Sequence, residues 1–361
     1  MTANVAKTAI AYHEKYAQYD LGPGHPYRGD RFPRTWEFFK HMGLLDRPEV
    51  LVIEPEPAKK EDLLRVHDER YVELIFRLSE RSRPYDWETP CSPEILEAAL
   101  LITGGALAVG SKVVEGAVEK GVAIGGGFHH AGRSYGGGFC LFNDVAVLVE
   151  FLRDKYGLER FLIIDHDVHA GNGTSDIFYA DPSVLFISVH QDPRTIYPGT
   201  GFIDQIGSGP GRGFNVNIPL PPGAGDESFL RVLKEIVAPL AEEFGPQIII
   251  SNGGSDPHFR DALGSLMVTA RGFHAITSFI TGLADRLCHG RYVLMPGSGY
   301  NPSVLPRCWY ALVAGAMRLG PEGTEEPEKP PEEGEWVKKR VEEVIEDVKD
   351  ALRPFWRCFK A

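Results

Sequence analysis

The stretch Asp165-His166-Asp167-Val168-His169 ends the apolar run Phe161-Leu162-Ile163-Ile164 and leads into the turn Ala170-Gly171-Asn172-Gly173. Alternate residues of a strand share a face, so Asp165, Asp167 and His169 project together. A carboxylate and an imidazole make part of a Zn²⁺ shell, which a catalytic site completes with a third protein ligand and water. Asp256 is the best third donor, because it too follows an apolar run, Ile248-Ile249-Ile250, and a turn, Ser251-Asn252-Gly253-Gly254-Ser255. Alone, an aspartate before Pro257 reads as a turn residue. Beside two other strand-tip donors it reads as a ligand.

The tandem pair His129-His130 follows Gly125-Gly126-Gly127-Phe128. Side chains of adjacent residues are expected to diverge, so the two histidines are not expected to share one ion. They suit two proton-handling roles: one takes a proton from water, the other steadies charge or donates to a leaving group. Tyr300, in Gly297-Ser298-Gly299-Tyr300-Asn301, offers a phenol that could hold a tetrahedral oxyanion.

These residues need strands to carry them. Apolar runs predict strands at 121–125, 161–165, 185–189, 214–219, 247–251 and 292–295, alternating with helices at 93–113, 143–156, 227–244 and 271–288. Such alternation implies an α/β fold, a mainly parallel multi-stranded sheet with helices on both faces. In open sheets of this kind, ligands gather at the strand C-terminal ends, where the glycine-rich and polar turns of this sequence fall. Residues 1–319 read as a single domain. Residues 320–335 read as an acidic Pro/Glu-rich solvated linker. In residues 336–361, Val337, Val341, Val344, Ile345 and Val348 at helical spacing predict a docking amphipathic helix and a tail.

With 361 residues, 43% hydrophobic and 24% charged, the chain has the composition of a globular enzyme. Its net charge of -12 argues against direct nucleic-acid binding and favours cationic substrates. The five cysteines, Cys91, Cys140, Cys288, Cys308 and Cys358, form no C-x-x-C pair. A reducing cytoplasm is therefore expected. Met1 to Ala17 lacks the apolar core of a leader, and no run of about 20 apolar residues is read in the sequence, so no membrane partner is expected. Composition sets no limit on self-association, and a homo-oligomer stays open.

The ordered segments Gly22-Pro23-Gly24-His25-Pro26, Gly127-Phe128-His129-His130-Ala131, Gly138-Phe139-Cys140-Leu141-Phe142-Asn143-Asp144, Asp165 to Thr174, Tyr197-Pro198-Gly199-Thr200-Gly201, Ser255-Asp256-Pro257 and Gly297 to Asn301 resemble the histone deacetylase family. The resemblance is greatest to its prokaryotic acetoin-utilisation and acetylpolyamine amidohydrolase-like branch. It implies an arginase-like fold and zinc-dependent hydrolysis of acetylated amines, with ferrous iron as the other metal in question. Carried over by position, Asp167, His169 and Asp256 would hold the zinc. His130 would be the general base, His129 its electrostatic partner, and Tyr300 the group that polarises the acetyl carbonyl. Asp165 would orient His129. A structural K⁺ or Na⁺ would bind Asp165, the carbonyls of Asp167, His169 and Val189, and the Ser188 hydroxyl. A second would bind carbonyls of Phe178, Asp181, Val184 and Phe214. Phe139 and Tyr197 would wall a narrow substrate channel with Gly138 at its floor, and Arg31 would line an acetate exit.

Asn172 stands where many relatives place an aspartate beside the base histidine. An amide orients an imidazole without favouring its protonation, which suits His130 as a neutral base. Tyr197 stands where phenylalanine is common. A narrow apolar slot fits a four-carbon chain ending in an acetamide, as in acetyl-lysine of a protein or peptide, and equally an acetylpolyamine. A non-catalytic acetyl-lysine-binding module is the reading from another class, and intact His129, His130 and Tyr300 argue against it. A two-manganese ureohydrolase would need a further acid just after Asp256, where Pro257 and His258 stand instead.

Overall fold

The computed structural model describes residues 7–360; residues 1–6 of the segment read for a leader, and Ala361 at the end of the tail, lie outside the described residues. Among the described residues there are eight strands: β1 (Thr8–Ala11), β2 (Val50–Ile53), β3 (Lys120–Ala123), β4 (Phe161–Asp165), β5 (Val184–Gln191), β6 (Asn215–Leu220), β7 (Ile248–Asn252) and β8 (Tyr292–Met295). They form one sheet in the order β2-β1-β3-β8-β7-β4-β5-β6, and each pairing with a defined register is parallel. The α/β class follows from the sequence as expected.

Six strands lie where the apolar runs predict, β4 and β8 to the residue. β1 and β2 were not anticipated. β2 is a sheet-edge strand that leaves Leu51 and Val52 exposed, so it carries no buried apolar run, and β1 lies beside it as a buried strand of four residues. The helix expected over 227–244 is interrupted. It runs as Asp226–Val232, widens to a π turn at Leu233–Val237, and resumes at Ala238–Phe244. Pro239 accounts for this, since it has no N–H to donate and its ring crowds the preceding turn.

Contacts divide the chain into two compact units. The first comprises residues 1–158, 172–177 and 293–297. Its central helix Pro93–Val114 starts with Ser92 accepting Ile95 N–H at 3.2 Å, a side-chain N-cap. This helix corrects the expectation that no long apolar run exists. By length and composition it could cross a membrane, but most of its apolar window is buried within the protein. It packs on β3 and on the helix Asp144–Tyr156, and Gly110 lets Leu148 approach.

The second unit comprises residues 159–171, 178–292 and 298–361. There β4 pairs with β5 on one side and β7 on the other, which sets Asp165 level with Ser188 and with Asn252. Every residue of β4, β5 and β7 is buried, as expected for strands covered on both faces.

The C-terminal helix forms as Glu335–Leu352, with Val337, Val341, Val344, Ile345 and Val348 all buried, and packs against β6. The acidic segment before it is not simply solvated. Glu333 accepts N–H bonds from Glu227 and Ser228 at the start of the helix Asp226–Val232, where a carboxylate satisfies orphan amides and the helix dipole. Replacing Ile345 by alanine should destabilise the protein by about 2–5 kcal/mol. An unchanged urea midpoint would show that the helix is only loosely applied.

Candidate active site

In the second unit, Asp167, His169 and Asp256 offer one ligand atom each, and these atoms lie within 4.8 Å of one another, all buried. The backbone enforces this. β4 ends at Asp165, and the following turn is closed by Asp167 N–H on Asp165 Oδ1 at 3.2 Å and His169 N–H on Asp167 Oδ1 at 2.8 Å. Val168 N–H donates to Asp256 Oδ1 at 3.2 Å and Ser298 Oγ donates to the same oxygen at 2.8 Å. His169 Nδ1 stands 3.2 Å from Asp256 Oδ2 and 3.0 Å from Asp167 Oδ1. One imidazole nitrogen thus faces two carboxylates.

That donor set fits a divalent metal of the zinc type: hard oxygen and borderline nitrogen ligands, buried and convergent, with one oxygen of each aspartate held by a backbone N–H. Burial lowers the basicity of His169, but hydrogen bonds and charge from Asp167 and Asp256 outweigh it and raise its pKa to about 10. Burial and the Asp167 charge push Asp256 upward as well. Two rings flank His169 edge-on, Tyr197 at 6.4 Å and Tyr300 at 6.5 Å between centroids. Tyr197 is half exposed.

Asp165 is buried, and its Oδ2 accepts the Asn252 amide at 3.1 Å. Ser188 Oγ lies 2.8 Å from His190 Nδ1. Among the carbonyls expected at an outer cation, Phe178 O receives Asp181 N–H, Asp181 O receives Val184 N–H, and Phe214 O receives Phe186 N–H. Val189, like Val184, is buried within β5.

In the first unit, the two histidines do not diverge as expected: His129 Nε2 and His130 Nε2 are 3.1 Å apart. Alternation governs strands, and this pair sits in a turn beyond β3. His130 Nδ1 meets Asn172 Oδ1 at 2.7 Å. An amide oxygen only accepts, so Nδ1 carries the proton and Nε2 is the basic nitrogen of the neutral ring. Gly138 is indispensable here. Its φ is +54°, and a Cβ would stand 2.5 Å from the His130 ring. The next residue, Phe139, is half-buried, packed edge-on to His25 at 4.5 Å, with its carbonyl accepting from Tyr19 Oη at 2.6 Å. Arg31 is buried, its guanidinium spent on the carbonyls of Arg28, Pro26 and Gly297 and stacked 3.6 Å from the Tyr27 ring.

Several supporting residues were not anticipated. Asp144 accepts N–H bonds from Gly127 and Phe128 and so shapes the turn before His129. Burial raises its pKa to about 6 against the pull of those amides. Asn143 caps its helix through Ala146 N–H and ties Ala131 O to Thr174 Oγ1. His67 donates from Nδ1 to Gly132 O and accepts Asn143 N–H at Nε2. Asn143 and Asp144 stand in a motif noticed in the sequence, but nothing there reveals whose backbone they hold.

A metal ion must displace the His169 proton to bind. Because that proton is retained through neutrality, affinity for Zn²⁺ should rise with pH across this range and binding should release protons. Titration calorimetry in two buffers of different ionisation enthalpy should give different heats at pH 7. Identical heats would contradict the arrangement.

Residues 25–316 match the model of the histone deacetylase domain. The chain is 38% identical over 360 residues to a probable deacetylase of Archaeoglobus fulgidus, covering 98% of this chain and 99% of that one. It is 32% identical to the acetoin utilization protein AcuC of Bacillus subtilis over 84% of this chain and 80% of that protein. The crystal structure of the HDA15 HD domain superposes with a TM-score of 0.86 at 27% identity, covering 97% of both chains. The chain belongs to the histone deacetylase family and is a deacetylase of the arginase/deacetylase-like fold.

Proposed function

We propose that the protein hydrolyses the acetamide of an acetylated aliphatic amine, acetyl-lysine in a protein or peptide, in a zinc-dependent reaction that releases acetate. The observation that carries this reading is the buried, convergent trio Asp167, His169 and Asp256 in a chain of the deacetylase family. Asp167, His169 and Asp256 would hold the zinc, which would supply Lewis acidity toward water and the acetyl carbonyl. His130 then takes the water proton at Nε2, with Asn172 holding Nδ1. His129 Nε2, in contact with His130 Nε2, shares the proton that later passes to the departing amine, oriented in turn by Asp165. The Tyr300 phenol donates to the oxygen that becomes negative. Phe139 and Tyr197 grip the aliphatic chain, with Gly138 beneath it.

K⁺ or Na⁺ would sit on Asp165, the carbonyls of Asp167, His169 and Val189, and Ser188 Oγ; the level placement of Asp165 and Ser188 on adjacent strands supports this. A second would use carbonyls of Phe178, Asp181, Val184 and Phe214. Arg31, with its guanidinium already bound to carbonyls, would line the acetate exit. In this reading residues 1–319 act as one catalytic domain with the acidic linker and C-terminal helix appended. A reducing cytoplasm suits a sequence whose five cysteines form no C-x-x-C pair.

Acetyl-lysine peptides assayed against acetylpolyamines, with Asp167→Ala as control, test the proposal. Peptide turnover that the control abolishes is expected. Turnover equal in both proteins would refute metal-dependent hydrolysis, and turnover confined to free polyamines would replace the substrate class. A second expectation concerns Asn172→Asp. A carboxylate on Nδ1 stabilises the imidazolium, so the basic form of His130 appears only at higher pH. The acid limb of the kcat/KM profile should move to higher pH; an unmoved limb would remove His130 from the role of base.

A further inference from the structure

Tyr300 owes its place to the loop that follows Asp256, through residues to which the mechanism gives no role. Its backbone N–H donates to Asp261 Oδ2 at 2.7 Å. The other oxygen of Asp261 accepts Leu263 N–H at 3.0 Å, and Asp261 N–H donates to His258 O at 2.8 Å. Next to Tyr300, the Asn301 amide donates to Arg260 O at 2.7 Å. On the other side, Gly299 has φ +129°, and a Cβ there would stand 2.0 Å from Ser255 Oγ. Tyr300 is therefore bonded through its own backbone N–H, and its neighbours are bonded to or packed on residues 255–261.

That loop is itself held by the acidic segment before the C-terminal helix. His258 Nδ1 accepts Arg260 N–H at 3.1 Å, so its proton is on Nε2, which donates to Glu326 Oε1 at 3.1 Å. The same oxygen accepts Ala270 N–H at 2.7 Å, where the helix Ala270–Leu287 begins. Both side chains of the pair are buried, at 0% and 6% exposure. A buried, hydrogen-bonded pair holds its partners in one geometry, and removing one member leaves the other unsatisfied. Glu328 adds a longer ion pair to Arg260 at 3.4 Å. Net charge alone would not require these two specific acids. Their contacts converge on the short stretch that carries Asp261.

We propose that Asp261 is the positioning residue for Tyr300, and that the acidic segment 320–335 maintains this through Glu326 on His258. The proposal rests on the role given to Tyr300 above. Its consequence is kinetic: a misplaced phenol weakens the interaction with the developing oxyanion while the aliphatic chain still binds, so kcat falls and KM holds.

The test is a double-mutant cycle on the metal-loaded enzyme with an acetyl-lysine peptide. Asp261→Ala and Glu326→Ala are each measured in the natural sequence and in a Tyr300→Phe background, with melting curves for every variant. We expect each to lower kcat about 10-fold, the scale for outer partners of an active site, with KM unchanged, and to cost no more than about 2-fold once Tyr300 is phenylalanine. Asp261→Asn, which keeps an acceptor oxygen, should lose less than Asp261→Ala, and should carry the cycle if the alanine variant does not fold. Equal losses in both backgrounds, or no loss in the natural sequence, would overturn the proposal while leaving the role of Tyr300 intact. A Tyr300→Phe enzyme with unchanged kcat would instead remove that role, and this proposal with it.

Discussion

Two carboxylates and one imidazole confined within 4.8 Å in the protein interior form the constraint on which the rest of the structure depends. Two unit negative charges about 4 Å apart repel by about 4 kcal/mol at an effective dielectric of about 20, and burial removes the water that would relieve them. Only a cation between them makes the arrangement comfortable. With protons alone, His169 serves as that cation, which is why its basicity is raised. Under the proposed function a metal would take the place of this proton.

Holding such a cluster together requires rigid supports, and the fold supplies them in order. β4 lies between β5 and β7, so three buried strand ends meet in register. The turn after β4 uses carboxylates on its own backbone amides, and Ser298 fixes the oxygen of Asp256 that also accepts Val168 N–H. In the first unit, Asp144 acts in the same way on the amides before His129. Each support spends polar groups on backbone that would otherwise be buried unsatisfied.

Much of this was legible in the sequence because the strands that carry chemistry are apolar runs that lead into polar, glycine-containing turns. Asp165, Asp167, His169 and Asp256 could be placed at strand tips from those runs alone, and β4 was bounded to the residue. β2, at the sheet edge with Leu51 and Val52 exposed, and its neighbour β1 escaped notice. The convergence of His129 and His130 was hidden because a turn follows no alternation rule. Asp144, Asn143, His67 and Asp261 act on backbone atoms distant in sequence and Ser298 on a distant carboxylate, and no local pattern encodes a partner 39 residues away, as with Asp261 and Tyr300. The acidic segment looked like a linker by composition, yet Glu326 and Glu333 are seated on the body.

The most direct test of this account is elemental analysis of the purified protein beside a variant with Asp167, His169 and Asp256 all replaced by alanine. One transition-metal ion per chain, zinc or iron, is predicted for the natural protein and none for the variant, with both remaining folded. Two ions per chain, or metal retained after the three replacements, would contradict it.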